Sequence, residues 1–416
     1  MPSANAPEVL PDMPMMALPA SLAASLPTAL PTALPTPLPT PLPFGKPNFS
    51  EREIEAVARV MRSGWVGMGP ETQAFEQELA QAIGVAAVVT VNACTSAMLL
   101  SLRALGVGPG DEVICPSLTW CSSANVALHL GAQPVFCDID ADSLCLDVPQ
   151  VLAALTPRTR AVIPVHFGGR AVDIAALRRA LPEHVVIVED AAHAFGARLP
   201  SGEQVGASGQ LTCFSFYANK VISTADGGAI AVADPALVAP LQSLRMHGLQ
   251  LNPWQRHANP REALAASPLQ VLGYKANYND LQAAIGRVQL QRQAEFAATR
   301  AMVADIYLQG LADMDLAFQA GLSDAGHARH LFVVTLPVAR ADERGRILTR
   351  MREQGIGVTV HYPPLHLMPL YGHAAQAKSL PVTESVAGRI MTLPIGPSMC
   401  ADDAWRVVAA LTEELK

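Results

Sequence analysis

The sequence predicts an α/β protein, a large and mostly parallel sheet covered by helices on both faces, followed by a smaller C-terminal α+β domain. Three observations carry this. Short runs that are apolar throughout recur along the first two thirds of the chain and alternate with segments of helical period, as strands buried on both faces do. The last hundred or so residues mix strand patterns (LFVVTL, GVTVHY) with helical ones (341 to 354, 401 to 414). At 416 residues the chain is too long for one small core.

The chain opens on a different text. Residues 1 to 43 hold twelve of the 34 prolines and repeat LPTALPTALPTPLPTPLP from Leu26 to Pro43. Proline this dense removes amide donors and fixes φ, which excludes helix and interior strand. The expectation is a disordered or polyproline-like tail, either dispensable or an adaptor-binding segment. With no lysine or arginine before Lys46 and prolines interrupting each apolar stretch, it does not read as a secretory signal.

The large domain is expected over 44 to 277. Ser50 and Glu53 form a capping-box pattern, after which Ile54, Val57, Val60 and Met61 recur at helical spacing. Pro70 suits the first turn of a second helix with Phe75, Leu79 and Ile83 on its apolar face and Gly84 at its end. Strands follow at VVTV (88 to 91), EVIC (112 to 115), PVFC (134 to 137), AVIP (161 to 164), VVIVE (185 to 189), TCFSF (212 to 216) and GAIAV (228 to 232), with helices from Thr95 and near Ser122. PWQRHANPREALAASP (253 to 268) has no clean period and reads as an ordered or a mobile loop. A long helical pattern over 278 to 308 opens the second domain, 278 to 416.

Composition narrows the function classes. Half the residues are apolar, yet none of the runs approaches the ~18 to 20 uninterrupted apolar residues of a membrane helix. The net charge is −7, and the basic residues form no stripe, which disfavours nucleic acid as a partner. Seven cysteines without a CxxC pair lie mostly inside apolar runs, so they read as buried thiols of a reducing, cytoplasmic compartment rather than a disulfide or zinc framework. HxxH at 327 to 330 lacks an acidic partner at ligand spacing, and no metal site is expected.

The chemistry concentrates at strand ends, where open parallel sheets collect ligands. Lys220, just past FSF, and Asp190, closing VVIVED, form the pair that a pyridoxal phosphate enzyme needs. The amine condenses with the cofactor aldehyde, and the carboxylate keeps the pyridine nitrogen protonated. Thr95 and Ser96 start a helix directly after a strand, offering amides, hydroxyls and the positive end of the helix dipole to a phosphate. Ser215, five residues before Lys220, adds a hydroxyl to that cup. Trp120 in PSLTWCSS can stack on the ring. His193 in EDAAHA would face the ring's phenolate side. Gly227 and Gly228 let the backbone return close to the site.

The combination of CTSAM, PSLTWCSSANV, PVFCDID, IPVHFGG, VEDAAHAFGA, FSFYANKVISTADGGAI, MHGL, GYKANYNDLQAAIG and HYPPLH resembles the DegT/StrS family of pyridoxal phosphate-dependent nucleotide-sugar aminotransferases, from about Phe44 to the C-terminus. The resemblance implies a fold type I (aspartate aminotransferase-like) enzyme and a homodimer with shared active sites. It also implies L-glutamate and a nucleotide keto sugar as substrates. In its terms Lys220 forms the Schiff base, Asp190 pairs with the pyridinium, and Thr95, Ser96 and Ser215 hold phosphate. His193 stands where many members have glutamine. Lys275 and Asn277 replace an asparagine and an arginine that reach the other subunit's site, and asparagine lacks the arginine's bidentate fork. His330 and His361 are candidates for contacting sugar or nucleotide. Within the family, the local variants are most similar to members that convert UDP-4-keto-pentose to UDP-4-amino-4-deoxy-L-arabinose for lipid A modification, with other 3-keto or 4-keto sugars as the alternative. An intact Lys220 argues against a dehydratase variant with histidine at that position, and against a non-catalytic regulator.

Overall fold

The computed structural model describes residues 40–207, 209–251, 253–258, 269, 271–372 and 379–416. The expectations for residues 1 to 39 and for 259 to 268 lie outside the described residues. Leu42 already belongs to the fold: its amide donates to Gly355 O at 2.8 Å, its carbonyl accepts from Gly357 N at 2.8 Å, and its side chain is buried.

Two helices open the chain, α1 (Glu51–Ser63) and α2 (Pro70–Ile83). In α1 the capping box forms as read from the sequence, with Ser50 N–H and Oγ–H both donating to Glu53. Helix α2 starts at its proline but its N-cap, Gly69, supplies no side-chain acceptor. A residue two hundred positions away does so. Asp280 Oδ1 accepts from Gly69 N (2.8 Å), Thr72 N (2.9 Å) and Thr72 Oγ1 (2.7 Å), and Oδ2 from Glu71 N (3.2 Å). The carboxylate therefore satisfies the orphan amides of one helix from the first turn of another, Asp280–Gln291.

The large sheet has seven strands: β1 (Ala87–Val91), β2 (Glu112–Pro116), β3 (Gln133–Cys137), β4 (Thr159–Val162), β5 (Val186–Asp190), β6 (Leu211–Ser215) and β7 (Gly228–Val232). Their order is β1-β7-β6-β5-β4-β2-β3, parallel except for β7, which runs antiparallel to both neighbours. Alternate residues enter different cores. Val113 and Cys115 of β2 pack with Leu100, Ala124 and Leu241 from helices on one face, whereas Ile114 packs with Leu79 and Leu177 on the other. This two-sided burial is why the strands read as unbroken apolar runs. Helices α3 (Cys94–Ala104) and α4 (Ser122–His129) follow β1 and β2.

Beyond Gly273 the long helical pattern is broken in two. Asp280–Gln291 ends and Gln293–Gly310 begins at Arg292 (φ −95°, ψ 0°), whose guanidinium is drawn to Glu53 of α1, to Asn48 just before that helix and to Glu295. A small antiparallel sheet follows, ordered β10-β9-β8, from β8 (Ala317–Phe318), β9 (Phe332–Thr335) and β10 (Ile390–Leu393). GVTVHY does not join it as a strand and makes only a Thr359–Thr392 bridge there. Gly357 passes so close to Phe44 N that an added Cβ would lie 2.3 Å from it, and Pro363 and Pro364 remove the next donors.

The Pro381–Ala387 helix repeats the capping device of α2. Asp138, just after β3, accepts from Val382 N (3.0 Å), Thr383 N (2.7 Å) and Thr383 Oγ1 (2.7 Å). Replacing Asp280 by alanine strands several buried donors and should cost about 3 kcal/mol, read as a lower urea midpoint, with Asp280→Asn recovering roughly half. An Asp280→Ala midpoint equal to that of the starting protein would show the carboxylate to be dispensable.

Candidate active site

The carboxyl ends of β1, β2, β5 and β6 and the start of β7 enclose a cavity of about 430 Å³. Asp190, Lys220, Thr95, Trp120, His193, Ser215 and His361 all line it. Asp190 is the last residue of β5 and is buried; its Oδ2 accepts from Ser123 Oγ at 2.8 Å and its Oδ1 from Ala192 N at 3.1 Å. Ser123 lies in turn 3.2 Å from Thr119 Oγ1, so the start of α4 and the turn before it present a hydroxyl pair that orients the acid. Glu189, one residue earlier, points away into the protein, where it accepts from Thr212 Oγ1 (2.8 Å) and meets His166 Nε2 at 3.0 Å.

Lys220 follows β6 in a turn closed by its own amide on Tyr217 O at 2.9 Å. Burial brings its ammonium down to about 8, against the opposing pull of Asp190. About a tenth of the amine is therefore neutral at pH 7, far more than an unperturbed lysine offers, and the neutral form is the nucleophile toward an aldehyde.

In α3 the first internal bond is Ala97 N–H to Ala93 O at 3.0 Å, so the amides of 94 to 96 precede the ladder. Thr95 Oγ1 meets Ser122 Oγ at 2.7 Å. Gly228 makes this close approach possible: a Cβ there would sit 2.6 Å from Cys94 N. Ser215 lines the same end, its Oγ accepting from Tyr217 N at 3.4 Å. Ser96, in contrast, is outside the cavity and donates to Asn92 Oδ1 at 2.7 Å.

The opposite wall is aromatic and imidazole. Trp120 is 59% exposed and Tyr217 53%, unusual for large aromatics unless a ligand covers them. His193 packs on His330, ring centroids 4.5 Å apart and planes tilted by 38°, and His330 sits behind it rather than on the cavity surface. Burial and the nearby Lys220 hold both imidazoles well below their ordinary range. His361 does face the cavity, with Nδ1 3.0 Å from Thr392 Oγ1, and burial brings it down to about 4. Lys275 and Asn277 do not line their own chain's cavity; Lys275 Nζ donates to Asn277 Oδ1, and Asn277 Nδ2 to Tyr278 O at 2.8 Å. His327 and His330 are turned to separate surroundings, His327 Nδ1 accepting from Arg329 N at 2.9 Å.

Sequence reasoning missed Tyr217, Asn219, Asp226 and Tyr362 on the cavity wall, and Ser123 behind Asp190. The hydroxyl pair in TWCSS was the available signal for Ser123. Asn219 Oδ1 is buried with no partner among the described residues, beside the lysine. The set fits pyridoxal phosphate: an uncapped helix start for phosphate, an oriented carboxylate for the ring nitrogen, a broad aromatic face, and a neutral amine for the aldehyde.

Residues 47–412 match the DegT/DnrJ/EryC1/StrS aminotransferase family. The spore coat polysaccharide biosynthesis protein SpsC of Bacillus subtilis (strain 168) is 36% identical over 379 residues, 90% of this chain and 97% of SpsC. Spr1654 from Streptococcus pneumoniae, provisionally named a sugar aminotransferase, superposes in its PMP form with a TM-score of 0.83 at 30% identity, covering 90% of this chain and 98% of that one. It has also been solved with PLP. DesV of S. venezuelae, solved with a ketimine intermediate, gives a TM-score of 0.79 at 36% identity, covering 88% of this chain and 95% of DesV. This chain is a member of the DegT/DnrJ/EryC1/StrS aminotransferase family, with fold type I architecture.

Proposed function

We propose that this protein transfers an amino group from L-glutamate to a nucleotide-linked keto sugar with pyridoxal phosphate as cofactor. One observation carries the reading: the Lys220 amine, brought down to about 8, shares a cavity with the oriented carboxylate of Asp190. Relatives named for a polysaccharide and as a sugar aminotransferase support the sugar class. Within that class, the lysine and asparagine at 275 and 277 and the MHGL segment support UDP-4-keto-pentose as acceptor, giving UDP-4-amino-4-deoxy-L-arabinose for the cell envelope.

When bound, the cofactor supplies an aldehyde for the amine and a ring that draws electrons from the reacting carbon. Asp190, kept in place by Ser123 and the Ala192 amide, would keep the proton on the ring nitrogen. The α3 amides with Thr95 and Ser215 would hold the phosphate, and Trp120 would cover the ring. Lys220 Nζ would be the base that takes the α proton of the donor and, in the second half, the acid that gives a proton to the former carbonyl carbon of the sugar. His361, at the cavity wall, contacts the acceptor. Lys275 and Asn277 act in the cavity of a second copy in a homodimer.

Purified protein incubated with glutamate and a panel of nucleotide keto sugars should yield amino sugar, read by mass, from the UDP-4-keto-pentose. Turnover of a hexose alone would overturn the narrow assignment, and no amino sugar from any member would overturn the class. Lys220→Ala should lower amino transfer by at least about 10³-fold, since it removes both nucleophile and proton carrier.

The Lys220 value has its own check. In cofactor-free protein, acylation of Lys220 followed by peptide mapping should level off above about pH 8, because the amine is then already neutral. An unperturbed lysine peptide gains rate up to about 10.4. A Lys220 profile that follows the free peptide would show that its burial does not tune it.

A further inference from the structure

His166 and Glu189 are fully buried, lie outside the cavity and take no part in the mechanism above. Two polar side chains in a dry interior beside the acid of the site are costly unless bonded, and both are. The tautomer of His166 is fixed by the backbone. Its Nδ1 lies 3.0 Å from Val172 N, and an amide can only donate, so Nδ1 accepts and the ring proton resides on Nε2. That proton is directed at Glu189 Oε2, 3.0 Å away.

Glu189 is anchored in turn. Its Oε1 accepts from Thr212 Oγ1 of β6 at 2.8 Å, and a Cβ added to Gly209 would lie 1.5 Å from that oxygen, so the carboxylate fills a space that only a glycine leaves open. One hydrogen-bonded chain therefore runs from β6 through the penultimate residue of β5 to the amide of residue 172, and the imidazole is its middle link.

The segment held by that link, residues 164 to 172, reaches three parts of the site. Pro164 O accepts from Asp190 N at 2.9 Å and His166 N donates to Asp190 O at 3.0 Å, which fixes the backbone of the acid. Gly168 N donates to His193 Nδ1 at 3.4 Å. Gly168 O and Gly169 O accept from Leu331 N (3.1 Å) and Ala328 N (2.9 Å), the segment that carries His330. The turn that permits this has Gly168 (φ 66°) and Gly169 (φ 105°) in the left-handed region, and glycines give it freedom rather than stiffness, so its place is set by its flanks.

We propose that His166 is a positioning residue for the cofactor site: with its proton on Nε2 it clamps the 164 to 172 segment against β5 and so keeps the Asp190 carboxylate aligned on the ring nitrogen of pyridoxal phosphate. The proposal rests on the reading of Asp190 as the partner of that nitrogen. Ser123 and Ala192 set the rotation of the carboxylate, and the clamp sets where its backbone lies. An apolar side chain at 166 strands the Val172 amide and leaves Glu189 one donor short in a dry interior. The segment then relaxes, and the Asp190 backbone bonded to it moves with it.

The test reads the ring nitrogen itself, through the nitrogen NMR resonance of isotope-labelled pyridoxal phosphate bound to the holoenzyme, without turnover. In the starting protein the resonance should stand at the protonated position. His166→Leu, similar in volume but unable to hydrogen-bond, should move it toward the unprotonated position and weaken cofactor binding by at least about tenfold, the worth of one hydrogen bond to a charged group. His166→Gln, which offers an acceptor to Val172 and a donor to Glu189, should restore both. A residue that served stability alone would lower the urea midpoint without moving the resonance, because the signal comes only from cofactor held by folded protein. Should His166→Leu not fold, His166→Asn, which replaces the Nδ1 acceptor but not the Nε2 donor, carries the same expectation. An unmoved resonance in a folded variant overturns the proposal alone. A starting protein that binds no cofactor, or binds it with an unprotonated ring nitrogen, overturns the reading of Asp190 and the proposal with it.

Discussion

The site is organised by a carboxylate that is buried and kept oriented, among the described residues, without an arginine or lysine bonded to it. Asp190 gains its place from the backbone: its amide donates to Pro164 O at 2.9 Å and its carbonyl accepts from His166 N at 3.0 Å, both at the end of β4. The side chain is then set by Ser123 and Ala192. Because its donors are neutral, its negative charge remains available to a cationic ring, and to Lys220, whose ammonium it favours against the larger effect of burial.

Long-range carboxylate caps explain how the surrounding elements keep register with this edge. Asp280 and Asp138 each hold a Pro-x-Thr helix start, at Pro70 and Pro381, from more than two hundred residues away. A local N-cap stabilises only its own helix. A remote cap also fixes where that helix lies, because moving either partner exposes two or three donors in a dry interior. The cap at Pro381 has a further consequence: it seats the helix that carries Glu384, and Glu384 is one end of the hydrogen-bonded chain through His366 to Ser117.

What was legible in the sequence follows from the range of the forces involved. The strand runs, α1 with its capping box and α2 with its proline could be read, because each is written in neighbouring residues. Lys220, Asp190, Thr95, Trp120 and Ser215 could be read because strand ends fall on one edge of such a sheet. Asp280 was visible as part of GYKANYND, but its purpose was not, since the helix it caps lies at Pro70. The break at Arg292 was hidden for a similar reason: the apolar period runs on while a guanidinium is drawn toward Glu53. His330 was misplaced because its spacing says nothing of depth, and Tyr362 was passed over beside a more conspicuous histidine.

Depth matters most around the imidazoles. Arg300 is almost fully buried and pairs with no carboxylate among the described residues; Nη1 donates instead to the carbonyls of Arg329 (3.2 Å), His330 (3.4 Å) and Ile395 (3.0 Å). Desolvation lowers it, but only to about 10, so the guanidinium stays charged. A buried cation compensated by carbonyl dipoles alone adds to the field against a second positive charge on His330, which already suffers from burial. His193, packed against that ring, is held neutral by its own burial and by Lys220 and His361. Among the described residues, the wall of the cavity formed by His193, His361 and Tyr362 thus offers neutral imidazoles and a neutral phenol, and Lys220 meets no charged base on that side.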